Sequence, residues 1–222
     1  KVIMTTIISA LQAVKQRIES AALQAGRVPQ DIRLLAVSKT FPAQAVRNAF
    51  RAGQSAFGES YVQEAVGKIA ALSDLPLEWH FIGPLQSNKT RLVAEHFAWV
   101  HSVDREKIAD RLSAARPAEL PPLQVCLEVN VSGEASKGGV APHELEALAA
   151  HVRALPRLQL RGLMAIPAAT ADSALQRRQF RAVRELLDQL NSRNFQLDTL
   201  SMGMSNDLEA AITEGATIVR VG

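Results

Sequence analysis

The chain has a single cysteine, Cys126, so no disulfide can form within it, and such sparing use of thiols fits a reducing compartment. Cys126 lies in an apolar run and is read as a buried structural thiol. Charge of one sign is also lacking: 25 basic and 22 acidic residues are interspersed, the net charge is only +3, and there is no basic tail. The one basic cluster, Arg177 to Arg184, is poor in aromatics and reads as a solvated helix face, so no nucleic-acid partner is expected. No apolar run approaches the roughly 18 residues that a membrane span needs. Near the N-terminus Ile7, Leu11, Val14 and Ile18 fall at helical spacing around Lys15, Gln16 and Arg17, which is not the apolar block of a signal peptide. The expectation is a cytoplasmic protein with no membrane partner. The histidines and the cysteine show no metal-ligand spacing, so no metal is expected. With no repeat, low-complexity tract or linker, residues 1–222 are read as one domain; Pro117 to Pro122 is an ordinary turn.

What the chain does contain is 47% hydrophobic residues arranged in a regular alternation. A first helix, with Thr5 or Thr6 as its N-cap and Gly26 just past its end, is followed by short apolar runs. These are Arg33 to Lys39, Ala56 to Ser60, Leu77 to Gly83, Trp99 to Asp104, Leu123 to Val131, Leu160 to Pro167, Thr199 to Gly203 and Thr217 to Gly222. Between them lie amphipathic segments: Ala43 to Ala52, Tyr61 to Leu72, Lys89 to His96, Arg105 to Ala115, Pro142 to Leu155, Ala174 to Asn191 and Asn206 to Glu214. Strands separated by helices form parallel sheets, because a parallel neighbour requires a crossover. Eight such units predict a closed (β/α)8 TIM barrel, with a doubly wound open sheet as the alternative. The extra N-terminal helix is expected to cover the place that a helix after the eighth strand would otherwise take.

In such a barrel the chemistry gathers at the C-terminal ends of the strands. The first run, "LLAVSKT", ends on Lys39, which shares strand parity with Leu35 and Val37. Enclosed in the barrel mouth, its amine would be desolvated and free to attack a carbonyl; alternatively it snorkels past the strand end into solvent. The seventh run leads into "SMGMSND", where hydroxyls, Gly203 and a helix start at Ser205 suit a phosphate. A serine that merely caps a helix is the competing reading. Arg220 and Gly222 in "RVG" would stand beside that turn. An amine on one side of the mouth and a phosphate cradle on the other fit pyridoxal 5′-phosphate, and equally a sugar-phosphate aldolase working through a lysine imine.

Six stretches carry a family resemblance. "LLAVSKT", "FGESYVQEA", "LEWHFIGPLQSNK", "LRGLMAIP", "LSMGMSNDLEAAI" and "GATIVRVG" occur in order over nearly the whole chain and resemble the signature runs of the pyridoxal phosphate homeostasis protein family. That family is in turn similar to the N-terminal barrel domain of alanine racemase. The resemblance implies pyridoxal 5′-phosphate held as a Schiff base on Lys39, with Ser201, Gly203, Ser205 and Gly222 around the phosphate and Arg220 facing the pyridine nitrogen. It implies a monomeric carrier or regulator in vitamin B6 homeostasis whose partners are pyridoxal phosphate, related B6 vitamers and pyridoxal-phosphate-dependent apoenzymes. In alanine racemase the opposing base is a tyrosine from a second, β-rich domain. Tyr61 is not expected across from Lys39, so efficient catalysis is not expected; a pyridoxal-phosphate-dependent amino-acid racemase is the alternative.

Two departures stand out against the family pattern. Ser60 replaces the usual asparagine in "FGESYVQE", which removes an amide contact to the ring, and the short run that follows "VRVG" in the family, with a phosphate-site threonine, is not in this sequence. His80 is a candidate lining residue of the mouth, His101 a weaker one. The loop "SGEASKGG", residues 132–139, is a solvated loop at the same rim that could act as a lid, with Lys137 as a second amine.

Overall fold

Alternating apolar runs and amphipathic helices leave each strand buried on both faces, and the barrel is the arrangement that achieves it. The structure is a computed structural model; it describes residues 2–222, with side chains from Thr6 onward. Its strands are β1 (Arg33–Val37), β2 (Ala56–Glu59), β3 (Glu78–Phe81), β4 (Trp99–Val103), β5 (Leu123–Glu128), β6 (Leu158–Met164), β7 (Thr199–Ser201) and β8 (Ile218–Val221). They pair in parallel in sequence order and close into a barrel. Closure rests on β1 and β8, which pair from Arg33↔Ile218 to Ala36↔Val221, and this excludes the open sheet. The helices are α1 (Val2–Gln24), α2 (Ala43–Arg51), α3 (Val62–Ala71), α4 (Thr90–His96), α5 (Glu106–Ala115), α6 (Leu145–Arg153), α7 (Ser173–Asn191) and α8 (Leu208–Thr213).

As expected, α1 fills the outer ring between α8 and α2. Its buried stripe of Ile18, Ala21 and Ala22 joins the main core, and Arg17 ties it to α8 through Glu209 at 2.7 Å. Gly26, at φ +68°, ends it in the left-handed conformation that a helix C-terminus favours. The expected N-cap is corrected: the helix begins at Val2, because neither glycine nor proline interrupts the residues before Thr5, so Thr5 and Thr6 lie inside it. The Thr5 side chain lies outside the described residues. Among the described residues no helix is long and apolar enough to cross a membrane.

Two shells of packing result. The outer shell lies between strands and helices and includes Phe57, Phe81, Phe97 and Phe180. The inner one fills the barrel with Leu35, Ala56, Trp99, Cys126, Met164 and Ile218, so Cys126 is the buried thiol expected. Burial pushes that thiol up to about 12, which keeps it protonated and unreactive. Gly162 allows β6 and β7 to touch, since a Cβ there would fall 1.8 Å from the Thr199 carbonyl oxygen.

Candidate functional site

Strand residues two apart share a face, so the inner shell continues toward the mouth through His80, His101, Ser201 and Arg220. These four make a chain of contacts through the barrel interior. The Arg220 guanidinium donates to the Ser201 hydroxyl at 2.7 Å and to the Ala165 carbonyl at 3.1 Å. The Ser201 hydroxyl lies 2.7 Å from His101 Nδ1, His101 Nε2 lies 2.8 Å from His80 Nδ1, and His80 Nε2 lies 2.7 Å from Glu78. Glu78 also accepts from Arg33 at the opposite end of the barrel, 2.6 Å away. The bonds from His80 and then Arg33 hold the Glu78 carboxyl down to about 2. Burial pulls the Arg220 guanidinium down to about 10, so it keeps its charge at neutral pH.

His80 was expected to line the mouth; instead it lies deeper, with both ring nitrogens engaged and its ring stacked on Trp99 at 5.2 Å. Ser201 is likewise fully buried beneath Arg220. Deep burial follows from their position within strands rather than in the loops after them.

Lys39 is placed differently from what strand parity suggests. β1 stops at Val37, and residues 39 and 40 form a turn in which Lys39 is exposed, so the expected enclosure of its amine is absent. The turn leaves the pleat because Thr40 takes φ +68°, a conformation strained for a β-branched residue. A cluster that sequence reading missed holds it. The Thr40 amide donates to Glu64 at 2.6 Å, and Lys68 donates to the Ser38 carbonyl at 2.8 Å. Lys68 also donates to Glu59 and Glu64, at 3.0 Å each, while the Ser38 hydroxyl donates to Glu59. Lys68 and Glu59 are both buried. Burial pushes the Glu59 carboxyl up, against the opposing pull of Ser38 and Lys68. One signal was available: Lys68 lies three residues after the fully buried Ala65 and so falls on the apolar face of α3.

The turn after β7 also departs from expectation. α8 starts at Leu208 with Asp207 preceding it, not at Ser205, because Asp207 Oδ1 accepts from the Met204 amide at 2.7 Å and closes a separate turn. With only six helical residues, α8 contributes little dipole, and the donors are those of the turn itself. Among the described residues no acceptor meets the amides of Gly203, Ser205 and Asn206. Gly203 must be glycine: its φ is +101°, and a Cβ would come 2.6 Å from Ala211. Gly203, Ser205 and Arg220 line one cleft of about 990 Å³ with Thr170, Gln176 and Lys137. Ser60 stands at the rim beyond β2, pressed against Gly83, and Gly222 lies beside Val37 at the β1–β8 seam. Tyr61 is exposed in the loop after β2.

The loop of residues 132–139 is tied down by Asn130, which donates to the carbonyls of Glu134 and Lys137, and this carries Lys137 into the cleft. Beneath it Glu128 is largely buried. Desolvation first, and Asp104 second, push its carboxyl up to about 7. Below the ordinary value of 4.5, folded and unfolded chains are both protonated and nothing is lost. As pH rises from there to about 7 the unfolded chain releases its proton first, so stability falls, and above that the cost is complete. Glu128→Gln therefore raises stability above pH 7 by up to about 3 kcal/mol and leaves it unchanged below pH 4.5. Urea midpoints at pH 4 and 8 measure the effect; an equal gain at both pH values would show that the titration of Glu128 is not its source.

Comparison with known proteins places this geometry in context. The family described as alanine racemase, N-terminal domain, matches residues 9–222. A Pseudomonas aeruginosa protein named pyridoxal phosphate homeostasis protein is 65% identical over 219 residues, covering 99% of this chain and 94% of its own. The Escherichia coli K12 protein of the same name is 54% identical, over 99% of this chain and 95% of its own. Among solved structures, PipY of Synechococcus elongatus with pyridoxal phosphate bound superposes with a TM-score of 0.81 at 41% identity, covering 94% of this chain and 97% of PipY. Alanine racemase of Bacillus anthracis shares the fold, with a TM-score of 0.70 at 18% identity; 96% of this chain covers 55% of that one.

Proposed function

Because the chain belongs to the pyridoxal phosphate homeostasis protein family, we propose that it binds pyridoxal 5′-phosphate at the open end of the barrel and serves in intracellular homeostasis of that cofactor. The observation that carries the reading is the likeness, at 41% identity over nearly the whole chain, to PipY solved with that molecule bound. The donor set fits the group. A charged, buried guanidinium, three turn amides that meet no acceptor among the described residues and a serine hydroxyl face one cleft, which suits an anionic phosphate and an aromatic nitrogen. When bound, the cofactor supplies an aldehyde that a primary amine can attack and an aromatic ring that withdraws electrons.

The chain's own residues take up the rest. Lys39, on its braced turn, is assigned the covalent attachment. Ser205, Gly203 and Gly222 are assigned the phosphate. Arg220 is assigned the ring nitrogen, toward which it donates without giving up its proton. Ser201 and His80 act from beneath Arg220, and Ser60 lines the rim. The cofactor reaches the site from solution and leaves toward apoenzymes that need it, in the cytoplasm, with the protein acting as a monomer.

A racemase is not favoured. The alanine racemases are 18% identical or less and speak for the fold alone. The test is a titration of cofactor-stripped protein with pyridoxal 5′-phosphate, followed by incubation with L-alanine in deuterated water. The protein turns yellow with one equivalent and shows no appreciable Cα exchange. A protein that stays colourless overturns the reading, and exchange near 1 s⁻¹ or above would make it an ordinary enzyme.

A further inference from the structure

The contacts inside the barrel fix a direction as well as a path. Glu78 is ionised and can only accept, so His80 Nε2 donates to it. A neutral His80 then presents Nδ1 as an acceptor, and His101 Nε2 must donate to it. A neutral His101 has only Nδ1 left as an acceptor, so the Ser201 hydroxyl donates there and its oxygen is open to the Arg220 guanidinium. Each link follows from the one before, and every donor faces an acceptor. Burial favours neutral imidazoles at both positions, and the charge of Arg220 acts in the same sense on His101. The stack of His80 on Trp99, at an interplanar angle of 7°, holds the plane of the first ring.

We propose that His101 and His80 are positioning residues for Arg220: with Ser201 they form a one-way hydrogen-bond chain that runs from its guanidinium to Glu78 and sets the direction in which its remaining N–H groups point. The proposal rests on the reading of Arg220 as the residue facing the cofactor's ring nitrogen. An arginine whose nearest polar partners are a hydroxyl and a backbone carbonyl has no carboxylate fork to orient it, so the chain of rings supplies the orientation. Glu78 is the anion at the far end, where Arg33 also donates to it.

The experiment has two arms. In cofactor-free protein, nitrogen-15 spectra of the imidazoles at pH 7.5 show His80 and His101 both neutral and both protonated at Nε2. An Nδ1-protonated ring at either position overturns the chain whether or not the protein binds pyridoxal 5′-phosphate. In the second arm, His101→Leu, which can neither accept nor donate, weakens pyridoxal 5′-phosphate binding by about tenfold, the equivalent of one lost hydrogen bond to a charged group, and shifts the absorption maximum of the bound form. His101→Gln, which can accept from Ser201 and donate to His80, restores affinity and spectrum to near those of the parent. If His101→Leu does not fold, Ser201→Ala interrupts the same path with the loss of one oxygen and shows the same spectral shift. Variants that bind with parental affinity and spectrum overturn the proposal, whereas a parent protein that binds no pyridoxal 5′-phosphate overturns the functional reading and leaves the tautomers as a separate result.

Discussion

Lys39→Ala removes the yellow colour of protein mixed with pyridoxal 5′-phosphate and the mass gained on borohydride reduction, while the thermal midpoint stays within about a degree or two of the parent. Both halves follow from the placement of Lys39. It is exposed, beyond the end of β1, and its side chain fills no part of either packed shell, so truncation leaves no cavity. The main-chain contacts of the turn, from Lys68 to the Ser38 carbonyl and from the Thr40 amide to Glu64, do not involve the Lys39 side chain. Covalent attachment, by contrast, needs a primary amine at this place. Weak, reversible binding survives, because Arg220 and the amides of the 203–206 turn remain. Absorbance before and after borohydride, with the intact mass, separates the two contributions. A variant that still gains the reduced adduct places the attachment on another amine, with Lys137 in the cleft the first to test.

Lys68→Met carries the largest expected loss of stability, on the order of 3–5 kcal/mol, because it removes the cation from a buried pair and leaves the Glu59 carboxylate without it in the interior. Ser38 still donates to Glu59, so the loss falls toward the lower end of that range. Replacing both members, as Glu59→Leu with Lys68→Met, recovers much of the stability, since an apolar pair of similar volume carries no desolvation cost. Attachment of pyridoxal 5′-phosphate does not recover with it. The double variant loses the bond from Lys68 to the Ser38 carbonyl, and the strained Thr40 conformation then depends on Glu64 alone. Urea unfolding and the affinity for pyridoxal 5′-phosphate, measured on the parent, the single and the double variant, therefore come apart. If affinity follows stability through all three, the cluster serves the fold and not the turn.

Legibility differed sharply between strand order and site geometry. All eight apolar runs became strands of one barrel, because period and length are properties of neighbouring residues and a fully buried strand writes itself as a short apolar run. Strand ends were less legible. Lys39 and Ser205 were placed by continuing a regular element two or three residues too far: a tertiary contact, Glu64 holding Thr40, ends the first, and a local turn closed by Asp207 on the Met204 amide displaces the second. The residues supporting the site were the least legible. His80, His101 and Ser201 come from three strands, and no local pattern in any of them states that their side chains meet.

By itself the sequence determined the alternation of eight strands with helices, the buried thiol and the family, and it pointed to an amine at residue 39 and a turn near residue 203. These depend on residue type and on spacing along the chain. Only the tertiary structure decided that Lys39 stands exposed on a braced turn, that Lys68 and Glu59 are the brace, and that Arg220 ends a hydrogen-bonded path across the barrel. Closing eight strands into a ring brings residues 9 to 192 positions apart within 3 Å of one another, and the direction of a hydrogen bond exists only once both of its ends are in place.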